Sequence, residues 1–204
     1  FPSEKQFEEE CRKLGITRDS QIVVFDSKGI FTSPRVWWMF TVMDHKTVAV
    51  LDGGLPAWNG AGFESLEVHQ PKELATSFKA HKNEAAIYHY EQIVDNCNSQ
   101  EYQIIDARSQ GRFNGTAPEP RAHLQSGHIK NALNLPYTQV LSNGYFKPKE
   151  ELEKLFKDLH IDKRPIIFSC GSGITACIIL LAFTLVSDQE SYVYDGSWTE
   201  WAER

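Results

Sequence analysis

The segment CGSGIT, residues 170–175, combines a nucleophilic side chain with a glycine-rich loop. It lies between an apolar run, residues 166–169, and a longer apolar stretch. A strand, a Gly-containing loop and a helix in this order can direct several backbone N–H groups at one point. We expect Gly171 and Gly173 to adopt the positive φ angles that a tight loop requires. The loop amides and the helix dipole would favour a thiolate, so the sequence predicts a reactive cysteine at Cys170.

The other three cysteines have a different setting. Cys177 lies within the apolar stretch, and Cys11 and Cys97 lie on predicted amphipathic helices, so all three are predicted to be buried apolar residues. Four cysteines are too few for a disulfide scaffold, and no pair has Cys-x-x-Cys spacing. The sequence therefore predicts no metal and no organic cofactor. It favours a reducing compartment, which is the cytoplasm, or the mitochondrion if the organism is a eukaryote.

A cysteine phosphatase could use a similar loop. In such enzymes an arginine six positions after the nucleophile binds the phosphate oxygens in a fork. Here that position is Ala176, and residues 170–187 contain no Lys or Arg. This alternative is therefore disfavoured.

Two arginines lie nine positions apart in the loop GRFNGTAPEPR, residues 111–121. Neither the spacing of an amphipathic helix nor that of a strand accounts for arginines at positions 112 and 121. A pair of guanidinium groups suits a small α-keto acid, because one can bind the carboxylate bidentately while the other faces the keto oxygen. Two solvated loop arginines remain the alternative. Arg108 directly follows a predicted strand and is expected to make structural hydrogen bonds.

An internal repeat indicates which elements position these residues. IVVFDSKGIF (22–31) aligns with IIFSCGSGIT (166–175) at an offset of 144, and LDGGLPAW (51–58) aligns with YDGSWTEW (194–201) at an offset of 143. Each repeat reads as strand, loop, helix and strand, which is a βαβ unit of a parallel sheet covered by helices. Asp26 replaces Cys170 in the first repeat, so that repeat is predicted to be catalytically silent.

The repeats divide the chain into three parts. We predict a partial first domain over 1–61, a linker laid over the surface at 62–82, and a complete second domain over 83–204. The predicted helices cover 2–14, 34–43, 90–97, 148–159 and 175–186, and the predicted strands cover 22–25, 47–51, 102–106, 132–135, 166–169 and 191–194. The counterpart of Asp106 would precede the first residue, so the first domain is expected to be incomplete, the chain to be a fragment, and its strands to have exposed apolar edges.

The composition excludes several classes of protein. The chain has 204 residues, of which 41% are hydrophobic, so it is globular rather than disordered. A net charge of −6 without a basic stripe excludes nucleic acid as an expected partner. The apolar stretch after residue 173 supplies about 13 residues, fewer than the roughly 20 that a membrane helix needs. It is predicted to be a buried helix, and no membrane association is expected.

These motifs together resemble a known family. CGSGIT, the apolar helix and YDGSWTEW are similar to the catalytic domain of the 3-mercaptopyruvate sulfurtransferases, in the rhodanese superfamily. SPRVWWMF (33–40) and LDGG (51–54) resemble that family's non-catalytic first domain, and DARSQGRFNGTAPEPR (106–121) and GHIKNALNLP (127–136) resemble its second. The resemblance implies an α/β fold of tandem rhodanese-like domains, each a parallel sheet flanked by helices, with the first domain incomplete.

The resemblance also implies roles for residues. Cys170 would receive a sulfane sulfur as a persulfide, Ser172 would help polarise the substrate, and Arg112 and Arg121 would hold its carboxylate. The remaining loop residues would line the substrate: Gly171, Gly173, Ile174 and Thr175. Thiosulfate-using relatives have basic residues just after the cysteine, so the implied donor is 3-mercaptopyruvate. The implied acceptor is a thioredoxin-like protein, a small thiol or cyanide, and a sulfur-relay or regulatory protein without turnover stays an open alternative.

Overall fold

The computed structural model describes residues 1–64 and 78–204. The α-helices of these residues are α1 (Glu4–Lys13), α2 (Ser33–Val42), α3 (Gly54–Gly60), α4 (Tyr90–Ser99), α5 (Gln110–Phe113), α6 (Lys149–Asp158), α7 (Ala176–Thr184) and α8 (Ser197–Glu203). The strands are β1 (Ile22–Val24), β2 (Val48–Val50), β3 (Ile87–Tyr88), β4 (Gln103–Asp106), β5 (Leu133–Asn134), β6 (Leu141–Ser142), β7 (Tyr145–Phe146), β8 (Ile166–Ser169) and β9 (Ser191–Tyr194). The predicted elements all form, with ends within two residues of the predicted bounds. No helix among the described residues is long and apolar enough to cross a bilayer.

The second repeat is built on a five-stranded parallel sheet in the order β3-β9-β8-β4-β5. The central strand β8 pairs with β4 on one edge and β9 on the other, and all four of its residues are buried. Helices cover both faces of such a sheet, which is why three of the four residues of β8 are large apolar side chains. Cys170 follows β8 directly, so it lies at the carboxyl edge of the sheet, where α/β proteins bind ligands.

Among the described residues the first repeat contributes the parallel pair β1 and β2, in the register Val23 opposite Ala49. Val23 is 60% exposed and Phe25 is 55% exposed, so the exposed apolar edge expected of this repeat is present, and a strand at 22–25 buried on both sides is not. Within these residues β1 has one neighbouring strand, whereas the equivalent strand β8 has two. The other edge of β1 is therefore unpaired in this part of the chain.

The two repeats share a core. Helix α2 of the first repeat packs against α7 of the second, and one cluster of buried side chains includes Trp38 and Val42 together with Ile178 and Phe183. The N-terminal end of α2 consequently lies near the loop that precedes α7.

Residues 65–77 of the predicted linker lie outside the described residues. At the first described end of the linker, residues 62–64 are exposed, as expected of a segment laid over the surface. The second described end, residues 78–82, instead places two apolar side chains in the core. Phe78 is 3% exposed and its ring centroid lies 5.9 Å from that of Phe7 in α1, and Ala80 is buried beside it. The polar composition of the segment concealed these apolar side chains, which cover the buried face of α1.

Candidate active site

Cys170 lies at the base of a cavity of about 270 Å³. Its side chain is 1% exposed, so burial alone does not distinguish it from the other cysteines. The cavity is lined by Phe31, Arg112, Glu119, Pro120, Arg121, Leu124, Cys170, Gly171, Ser172, Ile174, Thr175 and Thr199. It thus brings together all the predicted site residues except Gly173, which lies in the loop just behind them.

The turn after β9 fixes the carbonyl groups of the loop. The Cys170 carbonyl accepts the Trp198 N–H at 2.9 Å, and the Gly171 carbonyl accepts the Thr199 N–H at 2.9 Å and the Thr199 hydroxyl at 2.6 Å. In a planar trans peptide, the N–H of the next residue points away from that carbonyl. The N–H groups of Gly171 and Ser172 are therefore directed away from the turn, and neither has an acceptor among the described residues.

Ser197 holds the loop from below. It is fully buried with φ +52°, and its Oγ accepts the N–H groups of Cys170 at 3.2 Å and Gly173 at 3.1 Å while donating to the Tyr194 carbonyl at 2.8 Å. Oγ lies 4.0 Å from the Cys170 Sγ. Sequence reasoning missed this residue, although its position directly after the repeated Asp-Gly pair was a usable signal.

The two loop glycines are required for different reasons. Gly173 has φ +76° as predicted, and a Cβ there would lie 2.9 Å from the Asp195 carbonyl oxygen. The predicted positive φ at Gly171 is wrong. A Cβ at Gly171 would instead lie 2.9 Å from Nη2 of Arg112, so this position needs glycine because the guanidinium group packs against the backbone.

Arg112 lines the cavity beside the loop and pairs with a buried carboxylate. Its Nε and Nη2 bind the Glu119 carboxylate at 3.1 and 2.5 Å, and Arg108 binds the same carboxylate at 2.9 Å. Burial raises the pKa of Glu119, but the two guanidinium groups outweigh burial and hold that pKa below its ordinary value. Nη1 of Arg112 has no acceptor among the described residues. Glu119 was missed, although it stands between the two arginines in sequence.

Arg121 is exposed and joined to the loop through Thr199. Its Nη1 donates to the Thr199 Oγ1, and that hydroxyl donates to the Gly171 carbonyl. Thr199 thus fixes the direction of one guanidinium group relative to the loop. Ser172 is exposed at the mouth of the cavity.

The prediction that Arg108 is structural is confirmed. Its side chain is fully buried, it binds Asp106 and Glu119, and its guanidinium carbon lies 4.2 Å from the centroid of the Trp198 ring. The remaining cysteines are also buried as predicted, and none lines the cavity. Burial raises the pKa of Cys11 to about 11 and also raises the pKa of Cys97 and Cys177.

The equivalent loop of the first repeat holds an anion supplied by its own chain. The Asp26 carboxylate accepts backbone N–H groups at 2.8–3.1 Å and one hydroxyl at 2.9 Å, from Lys28, Phe31, Thr32 and Ser33. Burial raises the pKa of Asp26, but these N–H groups outweigh burial and keep that pKa below 3.8. By the offset of 144, Lys28 corresponds to Ser172, whose N–H has no acceptor among the described residues.

The architecture and the loop define a rhodanese-like protein, and the Rhodanese-like domain family matches residues 1–61 and 89–204. The chain belongs to this family. It is 40% identical to the mitochondrial thiosulfate/3-mercaptopyruvate sulfurtransferase 1 of Arabidopsis thaliana over 99% of its own length, and 43% identical to the thiosulfate sulfurtransferase of Rattus norvegicus over its whole length. It spans 59% of the first relative and 70% of the second.

A solved structure has the same architecture. SseA from Escherichia coli, described under the rhodanese fold and catalytic mechanism of 3-mercaptopyruvate sulfotransferases, superposes with a TM-score of 0.81 at 32% identity. The match covers 97% of this chain and 74% of that one. The described residues contain no group of three or more His, Cys, Asp or Glu side chains that could hold a metal ion.

Proposed function

We propose that this protein is a sulfurtransferase that takes sulfur from 3-mercaptopyruvate as a persulfide on Cys170. The observation that carries the proposal is the pairing of a cysteine in an amide-lined loop with two guanidinium groups across one cavity. The loop amides favour an anion at the sulfur, and the arginines suit the carboxylate of the donor.

The choice of donor rests on where the positive charge lies. Gly171 and Ser172 follow the cysteine, and no Lys or Arg occurs in 170–187, so the loop itself carries no cation for the second charge of thiosulfate. Arg112 packs against the Gly171 backbone and Arg121 is joined to the loop through Thr199, so both guanidinium groups line the cavity, where they suit a carboxylate. This arrangement favours a mercapto acid over thiosulfate, although the names of the relatives cover both donors.

In the first half-reaction the Cys170 thiolate attacks the sulfur of 3-mercaptopyruvate. The new S–S bond forms as the donor's C–S bond breaks, and the electron pair of that bond passes to the carbon as the enolate of pyruvate. The enolate takes up the proton that the donor thiol loses, and pyruvate leaves. Ser172, at the mouth of the cavity, would help to polarise the keto group, while the free amides hold the charge of the persulfide.

In the second half-reaction an acceptor thiolate or cyanide attacks the outer sulfur of the persulfide. The acceptor–sulfur bond forms as the S–S bond breaks, and the Cys170 thiolate is regenerated. Sulfur moves directly between nucleophiles, so the sequence of steps requires no metal or organic cofactor. A thioredoxin-like protein or a small thiol is the proposed acceptor, and the cytoplasm or a mitochondrion is the proposed compartment.

The decisive experiment measures pyruvate. The protein is incubated with 3-mercaptopyruvate and a reducing thiol, with thiosulfate in a parallel reaction assayed by thiocyanate formation from cyanide. We expect many equivalents of pyruvate per protein and slower use of thiosulfate. A single equivalent of pyruvate would identify a sulfur carrier without turnover, and faster use of thiosulfate would refute the choice of donor.

A further inference from the structure

Arg35 crosses from the first domain to the catalytic loop of the second. It lies in the first turn of α2, and its Nη1 pairs with Oδ1 of Asp195 at 2.6 Å and donates to the Gly173 carbonyl at 3.2 Å. Its guanidinium carbon lies 4.8 Å from the centroid of the Trp38 ring, and the side chains of Arg35 and Asp195 are each 18% exposed. The contact is therefore part of the packed interface between the domains.

The orientation of one peptide group makes this contact important for chemistry. The Gly173 carbonyl and the Ile174 N–H belong to the same planar trans peptide and point in opposite directions. Arg35, with a weaker contact from the Cys177 thiol at 3.3 Å, holds the carbonyl on the side of the domain interface. The Ile174 N–H is consequently directed away from the interface. It has no acceptor among the described residues, and Ile174 lines the cavity beside Cys170.

The contact also supplies charge that the loop lacks. Residues 170–187 contain no Lys or Arg, and Arg112 and Arg121, which lie elsewhere in the sequence, line the cavity. Arg35 is thus a cation behind the loop, contributed by the domain whose own loop has no nucleophile.

We propose that Arg35 is a positioning residue for sulfur transfer, acting through the Gly173 peptide to aim the Ile174 N–H at the reacting sulfur. The proposal rests on the proposed function of the cavity. It gives the silent domain a part in the reaction, because the loop takes its reactive shape only with α2 docked against it.

The test compares Arg35→Met with two matched variants. Arg18→Met removes an arginine of the same domain that pairs with Asp44 at 3.3 Å and does not contact the loop. Asp195→Asn removes the negative partner of the ion pair and leaves the Arg35 donor to the Gly173 carbonyl. The values of kcat and KM for 3-mercaptopyruvate and the thermal stability are measured for each variant.

We expect Arg35→Met to lower kcat about tenfold with KM nearly unchanged, since a loosened donor costs less than the roughly 10²–10³ lost when a donor is removed. Arg18→Met should match the wild type, and Asp195→Asn should lose less than Arg35→Met. A folded Arg35→Met variant with wild-type kcat, or an equal loss in Asp195→Asn, would overturn the proposal.

Two further measurements keep the test decisive. If Arg35→Met does not fold, Arg35→Lys replaces it, and we expect its kcat to fall several-fold, whereas wild-type kcat would refute the proposal. The rate of Cys170 alkylation by iodoacetamide needs no donor, so it applies even if the wild type does not use 3-mercaptopyruvate. Alkylation should be slower without Arg35, and an unchanged rate would refute the positioning role.

Discussion

The loops at 26–33 and 170–177 occupy the same position in two βαβ units, but their backbone N–H groups have different partners. In the first loop the Asp26 carboxylate accepts several of these N–H groups. In the second loop the N–H groups of Gly171, Ser172 and Ile174 have no acceptor among the described residues, and Cys170 lines a cavity together with Arg112 and Arg121. The same backbone design therefore holds an internal carboxylate in one repeat and leaves N–H groups beside a cavity in the other.

The strongest way to break this comparison is to give the second loop the side chain of the first. Cys170→Asp should abolish sulfur transfer, because the carboxylate would accept the loop amides as Asp26 does and cannot hold a sulfane sulfur. Cys170→Ser should be equally inactive. Mass spectrometry after exposure to 3-mercaptopyruvate should find one added sulfur on the wild type alone. A persulfide on Cys177 in either variant would contradict the assignment of the nucleophile.

The two arginines that line the cavity of the second loop are expected to affect which sulfur donor is used. Arg112→Ala and Arg121→Ala should each weaken kcat/KM for 3-mercaptopyruvate by about 1.5–3 kcal/mol, the range for a charge-assisted hydrogen bond. Because thiosulfate has no carboxylate, kcat/KM for thiosulfate should fall less. Arg164→Ala, which removes an arginine paired with Asp162 outside the cavity, is the control. Equal losses with both donors would mean that the two arginines are structural.

The smallest effect concerns the first loop. Asp26→Asn should lower the free energy of unfolding by about 1–3 kcal/mol near neutral pH, because a charged acceptor of several N–H groups becomes neutral. The folded pKa of Asp26 lies below its ordinary value of 3.8, so its stabilisation is present above that pH and is lost as the pH falls through the folded pKa. Urea unfolding at several pH values should find the difference shrinking in acid.

A matched aspartate outside the loop gives the reference for this measurement. Asp19 is exposed, so Asp19→Asn should change the free energy of unfolding little at any of these pH values. A constant difference between wild type and Asp26→Asn down to acidic pH would contradict the anion-site interpretation of the first loop.

The sequence predicted the strands and helices well where the local apolar pattern and the internal repeat indicated the same element. The run 166–169 is largely apolar because β8 is covered on both faces, and that cause is visible in the residues. The similar pattern at 22–25 does not by itself report burial, because exposure depends on neighbouring strands; the exposed edge at 22–25 was expected from the repeat offset instead. For Gly171 the residue type was informative, but the structural reason for it is the guanidinium group of Arg112, which belongs to helix α5 about sixty positions earlier in the chain.

The positioning residues were harder to predict than those that could touch a substrate. Cys170 and the arginines have unusual residue types for their surroundings. Ser197 and Thr199 are ordinary polar residues; the repeated Asp-Gly pair marked the position of Ser197, but the hydrogen bonds of both residues to the loop are evident only in the folded structure.

The burial of Cys170 bears on the lifetime of the proposed persulfide. A persulfide is easily reduced or oxidised in water, whereas the Cys170 side chain is 1% exposed and lines a cavity of about 270 Å³. On the proposed function, an acceptor must enter this cavity to take the outer sulfur. Slim nucleophiles, or a cysteine at the tip of a protruding loop, should then react faster than a thiol set in a flat protein surface.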